Sequence, residues 1–530
     1  MTSKGLNSIL TFLTRWAILA YLLVLAFIVQ TIEPNNFRGK NYMVYSKQIK
    51  LILGPLLAAV IYFGFDLMPG SPMVTKMAAV TVWMAIWWLT EVVHLAVTAL
   101  LPMLLFPVLG IADSKTTAFQ YMDPIIFLFI GGFIIAFAIE RWHLHQRIAL
   151  KVLMLVGTSP SQILFGVMLT SYLMSMWISN TATVMMLLSA VLAVIVQIEQ
   201  HFKEEHHSRK MSSALLIGLA YSATIGGMAT LVGTPTNMIF FREYTEKFPD
   251  NHDMNFFAWF KIGFPTSIVF LFLAFFVLKK LFINKEASLS IDKSYFADAY
   301  YRLGKMSSDE KMVSTIFALT ALLWFTRADI DFEIFKLKGW SNLFSHKEFL
   351  QDSTVAVFMA ILLFLIPSKS EKGRALITWE EVSKMPFDII LLFGGGFALA
   401  KGFELSGLST WLATQLNFAP DINIYILIFG MCILITIISE FASNVACIQL
   451  MLPILIAVQT TMNIHPLLLM IPATLAASLG FMLPLATAAN TIVFGSKRLR
   501  VNDMLKAGFA LNIIGVSLIT LSIYFISGIF

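Results

Sequence analysis

Two pairs of adjacent serine and asparagine residues interrupt long apolar runs in this chain of 530 residues. Ser179-Asn180 is followed by Thr181, and Ser443-Asn444 repeats the pair later in the sequence. Hydroxyl and amide oxygens are hard donors for a cation such as Na⁺, and the N–H groups at the start of a helix attract anions. Small polar residues also join packed membrane helices, but that role predicts single residues on one face. Consecutive, duplicated Ser-Asn pairs therefore indicate a binding site for small ions.

Each pair is followed by a second polar segment with a matching pattern. Residues 234–237 read Thr-Pro-Thr-Asn, and residues 487–490 read Thr-Ala-Ala-Asn. The Ser-Asn pairs lie 264 positions apart (443 − 179), as do the glycine pairs at 131–132 and 395–396, and the Thr-x-x-Asn segments lie 253 apart (487 − 234). Three matches in the same order predict an internal repeat, which is typical of secondary transporters that bind substrate between two halves. An odd number of spans between the halves would make the repeat inverted.

The composition predicts that these segments lie in a membrane. Hydrophobic residues make up 58% of the chain and charged residues 13%, whereas a soluble domain is roughly half apolar and about a quarter charged. The apolar runs are long enough to cross a hydrocarbon core about 30 Å thick, and they lack the alternation of barrel strands. We therefore expect an all-α polytopic membrane protein. Basic cytoplasmic loops account for the net charge of +6 without a nucleic-acid partner.

The distribution of basic residues predicts the orientation in the cell membrane. The cluster at residues 497–500 (Lys-Arg-Leu-Arg) precedes one last apolar run, so the cluster is expected in the cytoplasm and the C-terminus outside. Lys4 and Arg15 place the N-terminus in the cytoplasm, and the apolar run 17–29 is expected to be a retained helix because no cleavage site follows it. An odd number of spans, about eleven, fits the apolar length.

The motifs resemble the divalent anion:sodium symporter family, which includes dicarboxylate, citrate and sulfate carriers. The resemblance rests on both polar motifs and on an early helix in which residues 87–91 read Trp-Trp-Leu-Thr-Glu and residues 98–102 read Thr-Ala-Leu-Leu-Pro. It implies a transporter rather than an enzyme, one that moves a small di- or tricarboxylate such as succinate or citrate, or sulfate, coupled to two or more Na⁺ ions. It also implies a homodimer in the lipid bilayer that works by an elevator mechanism.

The same resemblance implies the ligands by position. The sodium ligands it implies are Ser175, Ser179, Asn180 and Gly233 for one ion, and Ser439, Asn444, Ala486 and Asn490 for another. The substrate contacts it implies are Asn180, Thr181, Thr234, Ser443, Asn444 and Thr487.

The family fold implies inverted repeats, a scaffold domain and a transport domain with two re-entrant hairpins, near residues 123–140 with the following segment and near residues 386–404. The domains expected are N-terminal scaffold helices at 1–120, a first transport repeat at 121–240, scaffold helices and polar loops at 241–384, a second transport repeat at 385–497, and a final helix at 498–530.

Three positions depart from the family pattern. Val445 stands where the first motif has Thr181, alanines at 488 and 489 stand where the family often has prolines, and His94 replaces a usual proline. The lost hydroxyl at 445 favours a smaller or differently shaped anion. A sodium-independent anion exchanger on the same fold is the main alternative. An intramembrane enzyme is not favoured, because no HExxH, GxSxG or paired Gly-Asp motif lies in a suitable apolar segment, and broken-helix repeats favour occluded binding over a channel.

Overall fold

The computed structural model describes residues 40–157, 159–201, 205–251, 254–283, 294–331, 336–415 and 423–526. The predicted helix at 17–29 and the C-terminal residue lie outside these ranges. The α-helices are α1 Lys40–Gly64, α2 Pro72–Thr90, α3 Leu95–Ala99, α4 Leu101–Leu109, α5 Ser114–Phe119, α6 Pro124–Arg141, α7 Leu144–Val156, α8 Pro160–Ser175, α9 Asn180–His201, α10 Glu205–Gly227, α11 Pro235–Lys247, α12 Phe256–Phe282, α13 Ser294–Arg302, α14 Ser308–Phe325, α15 Asp352–Leu365, α16 Trp379–Val382, α17 Phe387–Ser406, α18 Leu408–Gln415, α19 Ile424–Phe441, α20 Asn444–Met462, α21 Leu467–Ala477, α22 Ala488–Gly495 and α23 Val501–Ile526. Two short strands, β1 Ile330–Asp331 and β2 Lys336–Leu337, pair antiparallel.

The prediction of an all-α polytopic membrane protein is confirmed. Within the described ranges, nine helical segments are long and apolar enough to cross a membrane. They are Lys47–Gly64, Pro72–Thr90, Ser114–Arg141, Asn180–Glu199, Phe256–Phe282, Phe387–Ser406, Ile424–Phe441, Asn444–Met462 and Val501–Phe525. Shorter apolar helices lie at Leu95–Leu109, Asp352–Leu365 and Leu467–Ala477. The predicted number of eleven spans stays a prediction.

Local sequence explains where several of these helices begin. Ser159 caps α8 through a reciprocal pair of hydrogen bonds with Gln162, and Pro160 occupies the first helical position, where a missing N–H costs nothing. Ser307 and Glu310 form the same capping box at the start of α14. These caps satisfy backbone N–H groups that would otherwise lack partners at the helix ends.

One compact unit contains residues 1–123, 386–477 and 523–530. A buried cluster forms around α2, with Val74, Met77 and Trp88 packed among side chains that include Phe106 and Phe403. In the same unit α19 and α20 both contact α21. The last turn of α19 is joined to the end of α21, because the Thr436 hydroxyl donates to the Ala476 carbonyl at 3.5 Å.

The other compact unit contains residues 124–385 and 478–522. Its centre is α10, which contacts α8, α9, α12 and α22 and whose second half is almost fully buried. α6 packs against α15 so closely that a Cβ atom on Gly131 would lie 2.6 Å from Ala356. This unit therefore holds the first Ser-Asn pair, on α8 and α9, against a buried central helix.

The predicted position of the hairpins needs correction. Residues 386–404 lie almost entirely in one unbroken helix, α17, and residues 124–140 lie in another, α6. The glycines that suggested turns are packing positions: added Cβ atoms at Gly394, Gly395 and Gly396 would come within 2.6 Å of neighbouring atoms. The helical pairs whose turns contain Ser-Asn are α8–α9 and α19–α20.

Candidate ion-binding site

The first Ser-Asn pair lies in the turn between two helices. α8 ends at Ser175 and α9 begins at Asn180. The Ser175 hydroxyl, which is fully buried, donates to Asn180 Oδ1 at 2.7 Å. The Ser179 hydroxyl accepts from the backbone N–H of Ala182 at 3.3 Å, so it caps α9. Asn180 and Thr181 are half-buried. The predicted residues of this motif thus lie together at a helix start.

The two helices that meet at this turn run side by side. Val167 and Thr170 of α8 line the same cavity as Leu187 and Val194 of α9. Residues equally far from the turn can share one cavity only if the chain reverses there. α8 and α9 therefore form a helical hairpin with the Ser-Asn pair at its tip.

A second interruption follows at the end of α10. The helix ends at Gly227, and α11 begins at Pro235 after Thr234, which occupies the N-cap position without a side-chain capping bond. Asn237, which is fully buried, donates from Nδ2 to the Gly227 carbonyl at 3.0 Å and to the Thr230 carbonyl at 2.7 Å. One side chain thus holds the two ends of the interrupted helix.

The interrupted segment is attached to the hairpin tip. The Thr230 hydroxyl donates to the Met176 carbonyl and accepts from the Gly233 N–H at 3.1 Å. A Cβ atom on Gly227 would lie 2.5 Å from Asn180 Oδ1, and one on Gly233 would lie 2.5 Å from the Gly227 carbonyl oxygen. Glycine is required at both positions for this approach. The structure therefore brings three predicted sodium ligands, Ser175, Asn180 and Gly233, to one place.

The second Ser-Asn pair repeats this arrangement in the other unit. The Ser439 hydroxyl, fully buried in the last turn of α19, donates to Asn444 Oδ1 at 2.7 Å and also to the Ala477 carbonyl at 2.5 Å. Ser443 occupies the N-cap position of α20 without a side-chain capping bond. The Cys447 thiol lies 3.8 Å from the Ile435 carbonyl, which shows that the two helices are adjacent.

The second Thr-x-x-Asn segment repeats the asparagine contacts. Asn490, also fully buried, donates from Nδ2 to the Gly480 carbonyl at 3.0 Å and to the Leu483 carbonyl at 3.1 Å. Both asparagines therefore hold carbonyls ten and seven positions earlier. The Thr487 hydroxyl caps α22 by accepting from the Asn490 N–H at 3.1 Å. The sequence repeat is thus a repeat of hydrogen bonds.

The side-chain oxygens of both asparagines face the interior without a partner. Among the described residues, Asn237 Oδ1 and Asn490 Oδ1 are buried and accept no hydrogen bond. A buried acceptor left unpaired costs about 1–3 kcal/mol. Such a pair of oxygens, each beside an interrupted helix, suits a bound ligand that can use them.

The predicted site residues divide between the two compact units. Those in the unit of residues 124–385 and 478–522 are Ser175, Ser179, Asn180, Thr181, Gly233, Thr234, Ala486, Thr487 and Asn490. Those in the other unit are Ser439, Ser443 and Asn444. Ala486 occupies the position equivalent to Gly233, one residue before the helix-capping threonine.

Two residues were missed at the sequence level. Asn237 was not named as a ligand, although the Thr-x-x-Asn repeat pairs it with Asn490, which was. Glu440, directly after Ser439, is buried in the second motif, while the equivalent residue of the first motif is Met176. A carboxylate at membrane depth is a signal of function in its own right. Only the second motif contains such a charge.

Comparison with known proteins extends these similarities to the whole chain. The family model for the transmembrane region of sodium:sulfate symporters matches residues 49–527. SdcS of Staphylococcus saprophyticus, a sodium-dependent dicarboxylate transporter, is 38% identical over 497 residues, which cover 93% of each chain. SdcS of Staphylococcus aureus is 38% identical over 487 residues, covering 90% of this chain and 91% of the relative.

Among solved structures, MtrF of Neisseria gonorrhoeae, described as representing a class of antimetabolite efflux pumps, has a similar fold. The TM-score is 0.51 with 16% sequence identity, over 93% of this chain and 97% of MtrF. At that identity the similarity concerns the fold alone.

Proposed function

The chain belongs to the sodium:sulfate symporter family, and we propose that it carries a small dicarboxylate across the membrane together with Na⁺. The support for dicarboxylate over sulfate is the name of the relatives that match more than nine-tenths of the chain, which are sodium-dependent dicarboxylate transporters. The observation that carries the proposal is the duplicated Ser–Asn contact of 2.7 Å at two helix interruptions. A sodium-independent exchanger is not favoured, because the relatives depend on sodium.

The first sodium ion would bind at the tip of the α8–α9 hairpin. Its ligands would be Ser175, Ser179, Asn180 and Gly233, all of which supply hydroxyl, amide or carbonyl oxygens. No charged residue occurs in residues 172–188 or 224–241. A cation bound among neutral ligands retains its charge, so an anion binds more strongly beside it than without it. This is the physical basis for coupling the anion to sodium.

A second sodium ion would use the equivalent residues of the repeat. These are Ser439, Asn444, Ala486 and Asn490. The buried Glu440 next to Ser439 makes this motif more negative than the first, so the two ions would not bind with equal strength. Two or more coupling ions are therefore proposed.

The anion would be held by the hydroxyl and amide groups of both motifs and by helix starts. Its proposed contacts are Asn180, Thr181, Thr234, Ser443, Asn444 and Thr487. Four helices, α9, α11, α20 and α22, begin at or next to these residues. Helix starts present free N–H groups and partial positive charge, which attract carboxylates without a fixed cation.

The remaining parts of the proposal concern architecture. They are a homodimer with about eleven spans in the plasma membrane, inverted repeats, two re-entrant hairpins formed by α8–α9 and α19–α20, and an elevator movement of a transport domain against a scaffold. The basic cluster at 497–500 and the N-terminus would face the cytoplasm, and the C-terminus the outside. Cysteines introduced at Lys497 and Phe530 and labelled in intact cells test this orientation, because only the second should react with an impermeant reagent.

Uptake by the reconstituted full chain tests the function. Proteoliposomes with an inward Na⁺ gradient should accumulate radiolabelled succinate, and replacing Na⁺ by choline should abolish accumulation. Citrate and sulfate serve as competitors that define the anion class. Equal uptake in choline, driven only by unlabelled dicarboxylate inside the vesicles, would support the exchanger and overturn sodium coupling.

A further inference from the structure

A cavity of about 310 Å³ lies between α7 and the α8–α9 hairpin, away from the hairpin tip. Its volume is about twice that of an engineered apolar cavity of about 150 Å³ that binds benzene. Nine of the thirteen lining residues are apolar, namely Ala149, Leu150, Leu153, Val167, Met186, Leu187, Ala190, Val191 and Val194. The cavity is therefore large enough for a flexible alkyl chain.

The polar groups of the cavity are gathered at one end. α7 and α8 are joined by residues 157–159, so the start of α7 lies beside the last turns of α8. His145 and Gln146 begin α7, and Thr170 lies near the end of α8. The opposite end is lined by Leu153 and Val194. The cavity thus has a polar end near the hairpin tip and an apolar end.

The Thr170 hydroxyl at the polar end lacks a partner. The residue is 2% exposed, and its Oγ1 atom is buried without a hydrogen bond. The neighbouring His145 is also buried, and its Nδ1 lies 3.4 Å from the Ile139 carbonyl. Because a carbonyl only accepts, the proton is on Nδ1 and Nε2 is an acceptor. Burial lowers the pKa of His145, so the ring is neutral.

We propose that this cavity binds a single-chain amphiphile, a medium-length alkyl chain that ends in a hydroxyl or protonated carboxyl group. The head group would donate to or accept from Thr170 and donate to His145, and the chain would fill the apolar end. A phospholipid acyl chain does not meet this requirement, because it ends in a methyl group and leaves the Thr170 hydroxyl unpaired. An occupant would bridge α7 and the two helices that form the candidate sodium site.

Photocrosslinking of the full chain in nanodiscs tests the proposal with a decanol that carries a diazirine in its alkyl chain. Labelled peptides should map to α7, α8 and α9. Unlabelled 1-decanol should compete about three- to ten-fold more strongly than n-decane, the effect of one hydrogen bond. Equal competition by both compounds would overturn the role of the polar end. A phosphatidylcholine with the diazirine at its chain end that labels these helices as strongly as the decanol would identify an acyl chain instead.

Matched variants separate the cavity from the lipid-facing surface. Thr170→Val keeps the volume and should abolish the preference for decanol over decane. Thr183→Val is the control, since Thr183 is also a buried threonine whose hydroxyl lacks a partner but lies outside the cavity. Ala149→Leu should fill the cavity and remove labelling. Thermal unfolding shows whether each variant is folded; labelling that persists in folded Ala149→Leu protein would place the probe elsewhere and refute the proposal.

Discussion

Asn490 repeats the hydrogen bonds of Asn237: each donates from Nδ2 to the carbonyls ten and seven residues earlier, at distances between 2.7 and 3.1 Å. Each asparagine follows an interrupted helix and is fully buried. The amide therefore replaces helical N–H donors that the interruption removes. Its oxygen stays unpaired in both copies. The pair marks the same structural task in both repeats, which is to hold an interrupted helix open for ligand binding.

Asn237→Asp and Asn490→Asp should each impair sodium-dependent uptake. Aspartate has the shape of asparagine but lacks the two donors, and each carbonyl left unpaired costs about 1–3 kcal/mol. We expect a higher half-saturating sodium concentration and a lower unfolding temperature. Asn423→Asp is the control, because Asn423 is an exposed helix cap whose side chain only accepts, from the Tyr425 N–H. Unchanged sodium dependence in both interior variants would refute the positioning role.

Gly227→Ala should disrupt the first site more than other glycine substitutions. The added methyl would lie 2.5 Å from Asn180 Oδ1, so the hairpin tip must move. Overpacking of this kind costs about 1–3 kcal/mol, and uptake should fall by at least about tenfold, since each 1.4 kcal/mol is a factor of ten.

Gly132→Ala is the matched control for this substitution. Gly132 lies within α6, and no atom lies within 4 Å of its added methyl. Alanine in a helix interior is favoured over glycine by about 0.5–1 kcal/mol, so this variant should unfold at the same or a higher temperature. Equal losses of uptake in the two variants would show that Gly227 has no special role at the tip.

Asn180→Ala and Asn444→Ala should each abolish or strongly weaken uptake. Each removes the amide oxygen that Ser175 or Ser439 contacts at 2.7 Å. A desolvated ion that loses a ligand is destabilised by a few kcal/mol. Thermal unfolding in NaCl and in choline chloride measures binding directly: the stabilisation by sodium should shrink in both variants. Wild-type uptake by both would mean that the Ser-Asn pairs only pack helices.

The motifs could be predicted from the sequence because they depend on residue types and spacing. The offsets of 264 and 253 placed Ser175 opposite Ser439 and Thr234 opposite Thr487, and the structure gives both pairs equivalent positions. The hairpin location could not be read in the same way. Glycine permits a turn but also close helix packing, and only the contact of Gly394 with Tyr121 decides between them.

The contacts of Asn237 were equally inaccessible. A Thr-x-x-Asn pattern does not state whether the asparagine side chain faces a ligand or folds back on carbonyls seven and ten positions earlier. Those distances depend on where α10 ends, and helix ends within apolar sequence carry a weak local signal. The role of Glu440 is similar, since its burial results from the packing of α19 rather than from neighbouring residues.

Asp309 should make stability depend on acid pH. It is buried at the start of α14 and accepts from the Ser368 hydroxyl at 3.0 Å and from the N–H groups of Lys369 and Ser370 at 2.8 Å. Burial raises the pKa of this carboxyl, but the hydrogen bonds lower it by more, so its pKa lies below the ordinary value. A lowered pKa stabilises the fold above the unfolded value of about 3.9, and this contribution is lost as the pH falls through the folded pKa.

Asp309→Asn tests this dependence with little change in shape. The variant should unfold at a lower temperature than the wild type between about pH 5 and pH 8, where the carboxylate is charged. The difference should narrow as the pH falls below about 4, because the wild-type carboxyl is then protonated as well. Thermal unfolding in detergent over this range provides the measurement. A difference that widens in acid would contradict the assigned direction of the pKa.

Thr181 and Val445 are the second residues of α9 and α20, and both are half-buried beside their Ser-Asn turns. Thr181 has a hydroxyl that can contact the anion, whereas Val445 has a methyl group of similar volume. If the anion reaches both helix starts, Val445→Thr adds one donor and should improve the binding of a long dicarboxylate by about 0.5–1.5 kcal/mol, the net contribution of one hydrogen bond. A compact anion that contacts only Thr181 should not benefit.

Thr181→Val completes the comparison, because it removes the hydroxyl that the second motif already lacks. It should weaken every anion by a similar 0.5–1.5 kcal/mol, whatever its length. Competition by succinate, citrate and sulfate against labelled succinate, measured on both variants, separates the two effects. A gain for succinate in Val445→Thr with a loss for all three anions in Thr181→Val would place the substrate across both motifs. If both variants bind every anion as the wild type does, neither residue contacts the substrate, and the proposed anion site is wrong.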